Sequence, residues 1–536
     1  MRTAIVILVA ALSSLTVAQA QSPASSNPAE AACRGLQSPA RAAMFAAIPD
    51  ALTAINSAQV IAAGGRGTEV DDDLPEICRV EGYINPTVGF LVRMPTNTWN
   101  GKFMMGGCGG PCGNYLEDRI DPALVRGYAV VTTDMGHKGT GWAWAYNNVQ
   151  GQIDFAYRAT HLTAKVAKVV IEAFYGKAAS RNYYFGCSTG GRQGMILAQR
   201  FPTEFEGIVA GAPVFDELGD SPYFLDWAVI SNTAADNQPI LTPELLPVVH
   251  NAVLAACDAK DGLADGILQN PLSCTWDPKE IVCRPGALDK CLSEAQADVV
   301  RKIYEGARNS KGERLYWGMP RGSEDQWTMW LKPRTQQGLS ITAHLGFSPS
   351  APPDWTIYDF DYDRDPARLA MNSILQNPLN PDLTAFKQAG GKMILFHGYN
   401  DNNIPAEASI AYYERAVKTL GGRKETDPFF RLFTPPAVNH CRGGHGGGAI
   451  DWITALEDWV EKGQPPEVVM AFHPTKPYPT RPRDIADYGG GYSKLDRFPL
   501  KDGDYDRVRP VYPYPAYARY TKGDAAKASS YTRAMP

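Results

Sequence analysis

Apolar positions along this chain recur with two periods, and the two alternate. Short runs of apolar and β-branched residues, Gly127 to Thr133, Asn182 to Phe185 and Gly207 to Ala210, read as buried strands. Between the first two, Leu162, Val166, Val169, Val170 and Ala173 recur at helical spacing and predict a helix over 160–174. The pattern returns near the C-terminus. Lys392 to Phe396 and Phe429 to Phe433 read as strands, and Ala406 to Val417 and Ala449 to Val460 as helices. Strands alternating with helices predict a parallel sheet covered by helices on its faces. From about Val214 to Asn380 the alternation stops, and Cys, Trp, Pro and Gly become frequent. The expectation is an α/β core over 21–213 and 381–536, interrupted by an inserted lid domain over 214–380. The segment after Gln464 is rich in Pro, Tyr and Arg and is expected to wrap the surface.

Phe185-Gly-Cys-Ser-Thr-Gly-Gly191 joins a predicted strand to a predicted helix. This is G-x-S-x-G, the sharp turn that lifts a serine above the edge of a sheet in an α/β-hydrolase. Ser188 is therefore the candidate nucleophile, at a helix N-terminus that favours developing negative charge. A serine hydroxyl needs a base, and the base an orienting carboxylate. In this fold they follow the serine in the order acid, then histidine. Asp401 lies just past the strand 392–396, where the acid belongs; as a loop carboxylate it would instead cap the helix that begins near Pro405. His440 follows the last strand and precedes a glycine-rich loop, the position of a base, with His445 as its rival. His397, at a strand end, reads as a packing or turn residue.

Cys187 directly precedes Ser188, and Cys441 directly follows His440. If serine and histidine meet, the two sulfurs meet as well. A Cys187–Cys441 disulfide would close a long loop, worth ~4–5 kcal/mol in the chain-entropy model, and would fix nucleophile against base. Cys257/Cys274 and Cys283/Cys291 are close pairs that suggest local staples. A zinc site is the alternative use of the cysteines, although no C-x-x-C occurs.

Ten cysteines, an even number, fit a disulfide-bonded exported chain. The N-terminus agrees. Arg2 is followed by an apolar run from Ala4 to Leu12 and by Val17-Ala-Gln-Ala20, which reads as a secretory signal peptide over 1–20. The alternative, a membrane anchor, would need ~20 apolar residues. The expected location is secreted or periplasmic. A net charge of -5 without long charged runs excludes the footprint of a nucleic-acid binder and gives no means of holding an anionic membrane. Hydrophobic residues at 44% and charged residues at 20% exclude a disordered chain.

Taken together, Gly186-Cys-Ser-Thr-Gly-Gly-Arg-Gln-Gly194, His397-Gly-Tyr-Asn-Asp401 and Asn439-His-Cys441 resemble the tannase and feruloyl esterase family of α/β-hydrolases. The resemblance extends to Trp99 to Phe103, Thr133 to His137 and Arg158 to His161. It implies a bridged Cys187–Cys441 pair and hydrolysis of aromatic-acid esters: gallates, hydroxycinnamates or, in a bacterial branch, mono-hydroxyethyl terephthalate. The alcohol part would belong to a plant polysaccharide or polyphenol. It also implies a structural calcium ion on Asp258, Asp261, Asp265 and the carbonyls of Leu263 and Ile267. Three carboxylates within eight residues repel one another unless a hard cation neutralises them, and a solvated acidic turn is the alternative. Oxyanion donors are expected from Thr189 and from Gly109 or Gly110. The expected disulfides also include Cys33–Cys78 and, across the loop that resembles the family's oxyanion loop, Cys108–Cys112. One departure is Tyr512, which stands where the family often has the first cysteine of a tail disulfide. Tyr316, Trp317, Trp327 and Trp330 are candidates for stacking on the acyl group or for simple packing. Two other classes remain open: an acyltransferase with the same acyl-enzyme, and a non-catalytic, calcium-dependent carbohydrate-binding protein.

Overall fold

The computed structural model describes residues 28–65, 73–286, 290–329, 331, 341–352, 354–476 and 496–536. The signal peptide expected over 1–20 and Trp330 lie outside them. Nine strands form the main sheet: β1 (Thr53–Ile61), β2 (Ile77–Ile84), β3 (Val88–Pro95), β4 (Lys102–Gly106), β5 (Ala129–Thr133), β6 (Arg181–Cys187), β7 (Gly207–Gly211), β8 (Lys392–Phe396) and β9 (Phe430–Phe433). Their spatial order is β1-β2-β3-β5-β4-β6-β7-β8-β9. The pairs from β1 to β5 are antiparallel, and every pair from β5 to β9 is parallel. The parallel part is the sheet expected from the alternation, and the whole is the α/β-hydrolase arrangement that the family resemblance implies.

Strands covered on both faces are mostly apolar, and β5 and β7 are buried at every position. Successive side chains point to opposite faces, so each strand feeds two cores. Along β8, Met393 and Leu395 enter one core, and Ile394 and Phe396 the other. The helix Ala159–Tyr175 packs on β3 and β5, Thr189–Arg200 on β6 and β7, and Trp452–Lys462 on β7 and β8. Gly176, at φ 70°, ends the first of these in the left-handed conformation glycine adopts without strain.

The chain leaves β4 toward β5 on one side and β6 lies on the other, so the strand order reverses between β4 and β6. Crevices at such reversals, beyond the C-terminal strand ends, are where sites form in open α/β sheets. The loop after β4 carries Gly107 to Cys112, and the turn after β6 carries Ser188.

The neighbours β7 and β8 are separated in sequence by the segment 212–391, whose described residues add no strand to the main sheet. It is built from short helices and loops, with Leu246–Cys257, Glu294–Glu305 and Asp365–Gln376 the longest. The guanidinium of Arg192, on the helix behind Ser188, ties it to the core. It is fully buried, lies 3.0 Å from Glu217 at one end of this segment, and donates to the carbonyls of Gln376 at the other end (3.0 Å) and of Phe155 (2.9 Å).

Two expectations need adjusting. Ala449–Ile450 is a strand, and the helix starts at Trp452, because Asp451 accepts from the Thr454 N–H and caps it. The tail does more than wrap. Val469–Pro474 and Tyr505–Val511 join Ala449–Ile450 in a three-stranded sheet, and Tyr517–Tyr520 pairs with Tyr531–Ala534. Among the described residues no helix is long and apolar enough to cross a membrane.

Breaking a buried ion pair strands its partner, at a cost of ~3–5 kcal/mol. Arg192→Met is expected to lose about that much stability in denaturant titrations, and adding Glu217→Gln should recover part of it.

Candidate active site

The turn after β6 is strained by construction. Ser188 has φ 66° and ψ -129°, a conformation L-residues rarely adopt and one that costs ~1–3 kcal/mol. The strain is held by the backbone: Ser188 N–H donates to Gly211 O at 3.0 Å, and Ser188 O accepts from Arg192 N–H at 3.0 Å. The flanking glycines are required by contact. A Cβ at Gly190 would stand 2.8 Å from Cys108 O, and one at Gly191 2.1 Å from Gly211 O.

The five disulfides are Cys33–Cys78, Cys108–Cys112, Cys187–Cys441, Cys257–Cys274 and Cys283–Cys291, and no cysteine is free. Cys187 and Cys441 are 254 residues apart in sequence, with Cα atoms at 6.0 Å. Ser188 and His440 are thus neighbours of one covalent link. Cys441 also has a left-handed φ of 66°.

His440 Nδ1 lies 2.7 Å from Asp401 Oδ2. A carboxylate can only accept, so Nδ1 carries the proton and Nε2 keeps its lone pair. Nε2 is buried and has no hydrogen-bond partner. Asp401 is 1% exposed, and its Oδ1 accepts the N–H groups of Asn403 (2.8 Å) and Ile404 (3.0 Å). Burial by itself would raise the Asp401 carboxyl. The charge of His440 and the hydrogen bonds of His397 and His440 outweigh it and hold the group well below the carboxylate range.

His397 is more than a packing residue. It is fully buried, and its Nε2 lies 3.1 Å from Asp401 Oδ2 and 3.0 Å from Ile404 O. Both are acceptors, so Nε2 holds the proton while Nδ1 takes the Ser409 hydroxyl at 2.7 Å. The spacing of four between His397 and Asp401 was the available sequence signal. His445, the rival base, is mostly exposed and pairs with Asp325 at 3.2 Å.

The Thr189 hydroxyl donates to Gly110 O at 2.9 Å, which fastens the loop after β4 to the turn that carries Ser188. Gly109 sits in the same loop, where a Cβ would meet the Arg119 guanidinium at 2.4 Å and that flexible side chain would have to shift. Of the aromatic candidates, Trp327 is fully buried, with Nε1 on Ser323 Oγ at 3.0 Å, and packs in the inserted segment's core. Tyr316 is buried with an unpartnered hydroxyl, and Trp317 is half-buried beside Arg314.

The acidic loop after the helix Leu246–Cys257 folds back on itself. Asp258 Oδ2 accepts Gly266 N–H (2.8 Å), and Asp261 accepts Leu263 N–H (3.2 Å) and Gln269 N–H (2.9 Å). Asp265 pairs with Arg509. As placed, no three Asp, Glu, His or Cys side chains among the described residues converge as a metal-binding group. The donor set still suits a hard cation: Asp258 Oδ1 is buried without a partner, and burial, joined by the charges of its acidic neighbours, pushes Asp261 up to about 6.

Comparison with known proteins adds to this geometry. A family model described as tannase and feruloyl esterase matches residues 73–534. The mono(2-hydroxyethyl) terephthalate hydrolase of Piscinibacter sakaiensis is 31% identical over 86% of this chain and 85% of its own length. A probable feruloyl esterase B-2 of Aspergillus terreus is 33% identical over 74% of this chain and 78% of its own. Feruloyl esterase B from Aspergillus oryzae shares the fold, with a TM-score of 0.81 and 24% identity over 94% of this chain and all of that one.

Asp401 supplies a pH test. A depressed folded-state pKa contributes stability above the unfolded value of ~3.9 and loses it as pH falls toward the folded one. Asp401→Asn should therefore be less stable than the parent at pH 7, with the gap closing below about pH 4. It should also lower kcat by ~10⁴-fold, through the wrong histidine tautomer.

Proposed function

The chain belongs to the tannase and feruloyl esterase family and is a carboxylic ester hydrolase, and we propose that it is exported and cleaves esters of aromatic acids through Ser188, His440 and Asp401. The observation that carries the reading is the pairing of His440 Nδ1 with Asp401 at 2.7 Å, which leaves a buried lone pair on Nε2 beside the Cys187–Cys441 link. Nε2 takes the proton of Ser188 as its oxygen attacks the ester carbonyl. Asp401 stabilises the imidazolium that forms, and His397 keeps that carboxylate oriented. The N–H groups of Thr189 and Gly109 hold the oxyanion, each donor worth ~3–4 kcal/mol. His440 then gives its proton to the leaving alcohol, and water releases the acid from the acyl-enzyme by the same roles reversed.

The segment 212–391 acts as a lid in this reading. The aromatic preference rests on the relatives: one is a hydrolase of a terephthalate monoester, another a probable feruloyl esterase. Export rests on the N-terminal sequence and on five disulfides, which persist in oxidising compartments. A calcium ion on Asp258, Asp261, Asp265 and the carbonyls of Leu263 and Ile267 would neutralise the acidic loop and brace the lid. It takes no part in the chemistry.

Ser188→Ala should retain the fold and lose turnover of methyl ferulate, methyl gallate and a terephthalate monoester alike, followed spectrophotometrically; retained activity on an activated aryl ester would overturn the assignment. Among the three, the parent should show a clear preference, which identifies the acyl group. Removing calcium with EGTA should lower the melting temperature and leave kcat at 25 °C nearly unchanged, with calcium restoring the loss and magnesium failing to.

A further inference from the structure

Each of the two loops that carry the acid and the base has an asparagine directly before the functional residue. Both asparagines reach the same short piece of the inserted segment. Asn400, before Asp401, donates its side-chain amide to Gly322 O at 2.9 Å in a buried bond. Asn439, before His440, donates to Gln326 Oε1 at 3.1 Å. Asn400 N–H also donates to Val438 O at 3.0 Å, so the two loops touch each other as well. A third contact, His445 Nε2 to Asp325 Oδ2 at 3.2 Å, lies between the two asparagine contacts in the sequence of this piece.

The piece 322–327 is firmly seated in the inserted segment. Glu324 is fully buried and accepts Gly322 N–H (2.8 Å), the Tyr304 hydroxyl (2.6 Å) and His250 Nδ1 (2.7 Å). His250 and Tyr304 stand on the helices Leu246–Cys257 and Glu294–Glu305. Trp327 is fully buried beside Tyr304 at 5.2 Å between ring centroids. The direction of Gln326 is also fixed. Its Nε2 donates to Asp325 Oδ2 at 2.7 Å, and a carboxylate can only accept, so Oε1 is the atom turned to Asn439.

We propose that Gln326, with Asn400 and Asn439, is a positioning group for the reaction: the inserted segment, through 322–326, sets the spacing of the acid loop against the base loop. None of the three touches reacting atoms. Their effect passes through Asp401 and His440, so the proposal rests on the triad reading above. A misplacement of ~1 Å in such a constellation costs ~100-fold in rate.

The test compares Gln326→Met, which keeps the length of the side chain and removes both the acceptor for Asn439 and the amide donor to Asp325, with Asn439→Ala and the double variant. Steady-state kinetics on a 4-nitrophenyl ester give kcat and KM, and stoichiometric labelling by a fluorophosphonate gives the fraction of competent sites. Each single variant is expected to lower kcat by ~10–100-fold with KM and labelling stoichiometry near the parent values. The double variant should be no worse than the poorer single, because both remove the Asn439–Gln326 bond. A kcat within twofold of the parent for either single, additive losses in the double, or a loss confined to the labelled fraction would overturn the proposal. Ser188→Ala separates the two readings. If it still turns over, the triad reading fails and this inference with it. If it is inactive while Gln326→Met is normal, the inference alone fails.

Discussion

A single sulfur–sulfur bond joins two stretches of chain that are 254 residues apart, and the proposed triad of Ser188, His440 and Asp401 depends on it. On one side is the turn after β6, where Ser188 is held at a positive φ. On the other is the loop after β9, where Cys441 is held at a positive φ too. Both conformations are unfavourable for residues other than glycine, and each persists only because its surroundings over-determine it. The bond lets the strain on each side brace the other. It also removes the freedom of the loop carrying His440 to drift from Ser188, which matters for the proposed reaction because alignment dominates such rates.

The second constraint is electrostatic. A carboxylate as deeply buried as Asp401 is stable only if every lone pair is answered. Two backbone N–H groups answer Oδ1, and two histidines answer Oδ2. The arrangement keeps the group ionised in a place where burial alone would neutralise it. It also settles both tautomers. His397 presents a donor to Asp401, and His440 does the same while leaving its far nitrogen available as a base.

Much of this was legible in the sequence because it is carried by local pattern. The strands β5 to β9 are short apolar runs, and the nucleophile turn needs small residues at fixed offsets, as Gly190 and Gly191 show by what a side chain there would strike. The disulfide Cys187–Cys441 could be argued because each cysteine adjoins a residue of the proposed triad. The antiparallel strands β1 to β3 were not read, since β1 mixes buried and exposed positions without clean alternation. The tail strands were missed for a similar reason: Pro and Arg sit inside Tyr505–Val511, and only pairing with Val469–Pro474 makes it a strand. His397 was underrated because its partner is defined by a turn, not by a periodicity. Trp327 illustrates the converse. An aromatic in the inserted segment invites a substrate role, and its complete burial assigns it to packing.

The account stands or falls on which serine is the nucleophile and on what lies covalently beside it. Labelling the native enzyme with a fluorophosphonate and mapping its peptides without reduction addresses both together. The label should fall on Ser188, in a peptide still linked through Cys187 to the one containing His440 and Cys441. A label on another residue, or Cys187 joined to a different cysteine, would contradict it.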